Sequence, residues 1–324
     1  MTDTISPSTT ATTTDFSPDA NRSTSNETSE PMTSLLYADP TLDTTAGPAS
    51  TETASPTTTP TRSTISAPSR FGFGRLVSAE WLKFRTVRSN LIALLGAAVA
   101  AIGFGTLFAS LADSDDAPGR IASDGLSLSL GGFDLAQLII AILGVALVAG
   151  EYQTGLIRSW FAAAPNRIQV LLAKVSVFTG AVFVVTAAAV TVAFLAGQAV
   201  LPDTVTALSL TDDGVLQALA GTAFYAACIA AMGVALGFLL RSTAAGAGVV
   251  VTVLMLAPLM ISLLPSSIAD PVGKVLPSNA ADAITGLATP GTDVLSTGWG
   301  LAVLGAWVIG TVGAAALVVH RRDA

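Results

Sequence analysis

Val175-Ser-Val-Phe-Thr-Gly-Ala-Val-Phe-Val-Val-Thr-Ala-Ala-Ala-Val-Thr-Val-Ala-Phe-Leu-Ala-Gly-Gln-Ala-Val-Leu201 is a run of 27 residues without an Asp, Glu, Lys or Arg. A helix rising 1.5 Å per residue needs ~20 such residues to cross the hydrocarbon layer of a membrane. In lipid every backbone N–H and C=O must be satisfied within the structure, which a single helix achieves and a lone strand does not. Five further runs share this character: 91–112, 135–150, 214–240, 244–264 and 299–319. The second is short and is read as starting at Phe133, with Asp134 at the interface. With 51% hydrophobic and 11% charged residues and a mean hydropathy of +0.67, no amphipathic helices remain to cover six apolar ones in water. The predicted fold is an all-α polytopic membrane protein. Its spans lie at about 91–112, 133–150, 175–201, 214–240, 244–264 and 299–319 within a six-helix transmembrane domain, 70–324. Pro258 is expected to bend the fifth span.

The charges outside the spans set an orientation. Arg70, Arg75, Lys83, Arg85, Arg88, Arg158, Arg167, Lys174, Arg241, Arg321 and Arg322 fall on one side; the other holds Arg120 and Lys274 against eleven acids, among them Asp134, Asp212 and Asp282. Basic loops stay cytoplasmic, so both termini are expected inside the cell membrane. Residues 1–69 contain 32 Ser or Thr and eight Pro, with no hydrophobic periodicity. Such a segment buries too little apolar surface to offset its ordering entropy and reads as a disordered cytoplasmic tail. It holds eight acids and two bases. It therefore supplies most of the net charge of −7, and the acidic balance says almost nothing about the membrane domain.

Several chemistries are excluded. One cysteine, Cys228, and one histidine, His320, leave no disulfide and no Cys- or His-paired metal site. No ionisable group falls at mid-span, where ion-coupled transporters keep theirs. No Gly-x-x-x-x-Gly-Lys-Ser/Thr phosphate loop occurs, so any ATP must be handled by another polypeptide. The chain is expected to be no enzyme, to hold no cofactor and to bind no nucleic acid.

Two segments on the basic side could receive a partner. Between Phe71 and Arg88, a 100° step places Phe73, Leu76, Val77, Trp81, Phe84 and Val87 in one arc with Arg75, Lys83 and Arg85 outside it. This is the pattern of an amphipathic helix lying on the inner leaflet. Glu80 falls inside the apolar arc. It either pairs locally with Lys83 or packs at the lipid edge, or else it is a hydrogen-bonding post for another subunit or for the second loop. The second segment, Gly150 to Arg167, predicts a helix over 155–164, N-capped by Thr154 and stopped at Pro165. It would present Leu156, Ile157, Trp160 and Phe161 beside Arg158, either as a protein-binding knob or as an interfacial anchor.

Ala79-Glu-Trp-Leu-Lys-Phe-Arg-Thr-Val-Arg-Ser89 resembles the opening of actinobacterial permeases of the type-2 class of ABC transporters. Gly150-Glu-Tyr-Gln-Thr-Gly-Leu-Ile-Arg158, Pro165, Arg167 and Leu172-Ala-Lys174 are similar to that family's loop after the second span. Trp299-Gly-Leu-Ala, Trp307 and Arg321-Arg-Asp-Ala324 are similar to its last span and tail. The resemblance covers about 70–324 and implies a permease that pairs with a second permease chain and docks two ABC ATP-binding subunits. It also implies an elbow helix at about 71–89 carrying Glu80, Trp81, Lys83, Arg85 and Arg88. A coupling helix at about 153–165, with Glu151, Tyr152, Thr154, Leu156, Arg158, Trp160, Phe161 and Arg167 as its ATPase contact, is implied in the same way. So is a broken re-entrant segment in the external connection, marked by Pro271, Pro277 and Asp282. A non-transporting membrane anchor or scaffold is the alternative to an exporter subunit.

Overall fold

The computed structural model describes residues 72–112, 125–163, 166–203, 205–287 and 295–321. The tail 1–69, Pro165 and Arg322 lie outside the described residues, as do the side chains of Arg158 and Phe161. Among the described residues every regular element is helical: α1 (Phe73–Thr86), α2 (Arg88–Ser110), α3 (Gly125–Leu130), α4 (Phe133–Gln153), α5 (Leu156–Ala163), α6 (Arg167–Val200), α7 (Val215–Leu240), α8 (Thr243–Val251), α9 (Ala257–Ser262), α10 (Ser266–Gly273), α11 (Pro277–Thr285) and α12 (Thr297–Arg321).

Six units are long and apolar enough to span a membrane: α2, α3–α4, α6, α7, α8–α9 and α12. The all-α six-span expectation is met. The largest departure is α6. It begins at Arg167 rather than at Val175 and runs 34 residues. At 1.5 Å each that is ~51 Å, longer than the ~30 Å hydrocarbon core requires, and its first two turns bring Lys174 into a packed helix. Asn166 starts it, its side chain accepting from the Ile168 N–H at 3.1 Å. The fifth span is not a uniformly bent helix. A π-helical turn over 252–256 separates α8 from α9, and Pro258 sits in the first turn of α9, where its missing N–H costs least.

The core is built around α7, the most deeply buried span, which packs against α4, α6, α11 and α12. Small residues permit its approach to α4. A Cβ on Gly233 would strike the Ala141 backbone and one on Gly237 the Val145 backbone. The Gly-x-x-x-Gly pair thus serves packing inside this chain. On the first span, Gly105 abuts Ser129, whereas Gly96 and Gly103 face open space. Spans α2, α8–α9 and α12 lie at the periphery, with only a minority of their residues buried inside the bundle.

Candidate functional site

At one end of the bundle, α1, α4 and α6 converge on four charged residues. Lys174 Nζ donates to both Glu80 carboxylate oxygens at 2.9 Å and to Glu151 Oε1 at 2.6 Å. Lys83 Nζ also pairs with Glu151 Oε1. Glu80, Glu151 and Lys174 are only 6%, 5% and 4% exposed. Two carboxylates and two ammonium groups alternate, so the cluster is neutral as a unit. That neutrality lets charges persist in an apolar setting which none of them could occupy singly.

Glu80 therefore belongs in the apolar arc of α1 because that arc has two edges. Leu76, Glu80 and Phe84, one turn apart, face the bundle, with Phe84 edge-on to Phe178 of α6 at 6.0 Å. Phe73 and Trp81 are exposed on the other edge; Arg85, outside the arc, and Arg88, the first residue of α2, are exposed too. Glu80 reaches neither Lys83 nor the lipid edge; its partner is a lysine 94 positions away.

The helix after α4 differs from expectation at its start. Thr154 does not cap α5. Its hydroxyl donates back to Gly150 O at 2.9 Å and closes α4, and Gly155, at φ 74°, makes the break. α5 then runs from Leu156 to Ala163. The apolar knob is also narrower than expected, because Ile157 is buried in the main core, while Leu156 is exposed and Trp160 half-buried. Trp160 rests on the patch of Leu76, Val170 and Ala173, and its ring lies 5.7 Å from Lys83 Nζ. Tyr152 packs edge-on against Phe238 at 6.2 Å and beneath the Arg241 guanidinium at 4.7 Å. Arg241 itself ends α7 in the left-handed region, at φ 53°. Arg167 is the first residue of α6. The structure thus joins Glu80, Lys83, Glu151 and Trp160 in one assembly and adds Lys174, which was expected only as a cytoplasmic base and part of a motif. Its signal was present: a lysine on a helix continuous with an apolar span, matched to an acid inside an apolar arc.

Pro271, Pro277 and Asp282 lie apart from this cluster. The connection before the last span contains two short helices. Pro271 is inside α10 and Pro277 opens α11. α11 is buried against α7 and α12, and the Trp307 indole of α12 donates to Val275 O at 2.8 Å, tying down the α10–α11 junction. Asp282 projects from α11 into a cleft that also contains Asp134.

A family model described as ABC-2 family transporter protein matches residues 76–268, from α1 into α10. The chain belongs to that family of membrane transport proteins, and its six apolar spans make it a multi-pass permease. No curated protein matches the chain.

Proposed function

We propose that this chain is the transmembrane subunit of an ATP-driven exporter in the cell membrane. Two permease chains, this one with itself or with a sister chain, form the path, and two separate ABC ATP-binding subunits drive it. In this reading the termini and the basic loops are cytoplasmic, residues 1–69 are a disordered tail, α1 is the elbow helix and α5 is the coupling helix. The observation that carries it is the buried Glu80–Lys174–Glu151–Lys83 cluster. Glu151 ends the span that leads directly into α5, and Lys174 and Glu80 tie that end to α6 and α1. A push on α5 therefore reaches three helices together, because ionic contacts in a dry site resist stretching far more than exposed ones do.

The test replaces the docking surface while leaving the cluster intact. In Leu156→Ala, at the exposed face of α5, and in Arg158→Glu, co-purification of the ATPase should fall about tenfold and export should be lost, while membrane insertion and melting temperature stay at wild-type values. Unchanged ATPase association would overturn the role given to α5. A chain that recruits no ATPase under any condition would favour the anchor or scaffold.

A further inference from the structure

About 26 Å along α4 from Glu151, α3, α4, α7 and α11 enclose a cleft of about 210 Å³ lined by Asp134, Thr222, Tyr225, Asp282, Phe133 and Ser127 among others. Its electrostatics are the reverse of the neutral cluster. Asp134 accepts one hydrogen bond, from Gln137 Nε2 at 3.2 Å, and Asp282 accepts none at its carboxylate among the described residues. No described lysine or arginine pairs with either acid. The Asp282 carboxyl is pushed up to about 6 by burial and by the neighbouring Asp134.

A second, independent group points into the same space. Tyr225 is 4% exposed, lines the cleft, and bonds through its hydroxyl to no described residue, although buried phenols ordinarily find a partner. Its ring meets Phe133 edge-on at 6.1 Å, giving the cleft an aromatic wall. Two carboxylates, an unused hydroxyl and aromatic faces form a site short of one compact positive charge. That volume is far above the ~10–15 Å³ that a single water requires and leaves room for an ammonium group with a few methylenes.

We propose that the cleft binds the primary ammonium head of an amphipathic amine. Asp134 and Asp282 share its charge, while the Tyr225 oxygen accepts one N–H. Calling the amine a cargo rests on the exporter function above; the binding step does not. Asp282 lies beyond the residues matched by the family model, whereas Asp134, Thr222 and Tyr225 fall within them.

Butylammonium, which is too short to partition into micelles, is titrated calorimetrically into the full chain in a neutral maltoside detergent. One saturable site per chain is expected at pH 7.5, with no saturable heat from n-butanol. Asp134→Asn and Asp282→Asn should each weaken binding at least about tenfold, Tyr225→Phe about threefold, and Asp282→Glu less than threefold. Lowering the pH to 5 should weaken wild-type binding, because protonation of Asp282 removes the charge that holds the cation. The groups facing that carboxyl are Asp134 from α4 and Tyr225 from α7; the titratable residues of α12, His320 and Arg321, are at its far end. Competition by phosphatidylethanolamine would identify a lipid headgroup as the source of the amine, and its absence a free amine. Equal binding by wild type and both asparagine variants would overturn the proposal, as would proton uptake near pH 6 without amine binding. Melting curves check that each variant is folded, and Tyr225→Phe removes only one hydroxyl. Failure of an ATPase to co-purify would instead overturn the exporter function and leave the binding result intact.

Discussion

Lys174 holds two carboxylates in a space too dry for any of the three to stand alone. Removing one member of a buried ionic set leaves an uncompensated charge, which typically costs ~3–5 kcal/mol. Lys174→Met should therefore sharply lower the melting temperature of the detergent-purified chain. The double change Glu80→Gln with Lys174→Met should recover most of the loss, since Glu151 keeps Lys83. If the double variant were no more stable than the single one, the pairing energy would have been misassigned. Asp282 shows the opposite economy. Its carboxyl is raised to about 6 against an ordinary 3.8, so the folded state holds its proton more tightly than the unfolded chain does. Its contribution to stability is full below about pH 4 and is lost as pH rises through about 6. Asp282→Asn should thus melt above wild type at pH 8, and the difference should vanish by about pH 4. A residue that destabilises the fold at neutral pH is what a ligand site retains.

Among the helices, close approach is decided by single glycines whose neighbours sequence spacing does not reveal. Gly103 and Gly105 stand two residues apart on α2. A Cβ at Gly103 meets nothing within 4 Å, whereas one at Gly105 would collide with the Ser129 carbonyl of α3. Gly105→Ala should destabilise by ~1–3 kcal/mol through overpacking, and Gly103→Ala should be neutral or slightly favourable from helix propensity. Thermal unfolding of the two variants in one detergent compares them directly, and equal melting points would contradict this α2–α3 contact. The helices themselves were legible. Long uncharged runs located all six spans, and the amphipathic arc located α1. The break between α4 and α5 is not legible at Thr154, because a threonine before an apolar stretch reads equally as an N-cap or as the end of the preceding helix. The left-handed Gly155 decides between them.

For the whole molecule, the distribution of basic residues predicts that position 30 faces the cytoplasm. In a Cys228→Ala background, a cysteine at position 30 should react with a membrane-impermeant maleimide only after the cells are permeabilised, and one at Asp212 should react in intact cells. Labelling of position 30 from outside would reverse the orientation and, with it, the face available to an ATPase. The bundle places a neutral, cross-linked ionic cluster at one end and an uncompensated acidic cleft at the other, ~26 Å apart along α4. Rigid helices in contact through α7 connect the two.

Sequence by itself determined the class of this protein, because crossing a hydrocarbon layer is a requirement on local composition: enough consecutive apolar residues, with charge confined to the ends. It also drew attention to Glu80, a charge inside an apolar arc, and to Asp282 as a marker of the external re-entrant segment. Only the tertiary structure decided what those charges meet. Glu80 finds Lys174 and Asp282 finds Asp134 across distances of 94 and 148 residues. Such pairings depend on how α1 lies along α6 and how α11 seats against α7, and the packing that sets both is absent from the composition of any one segment.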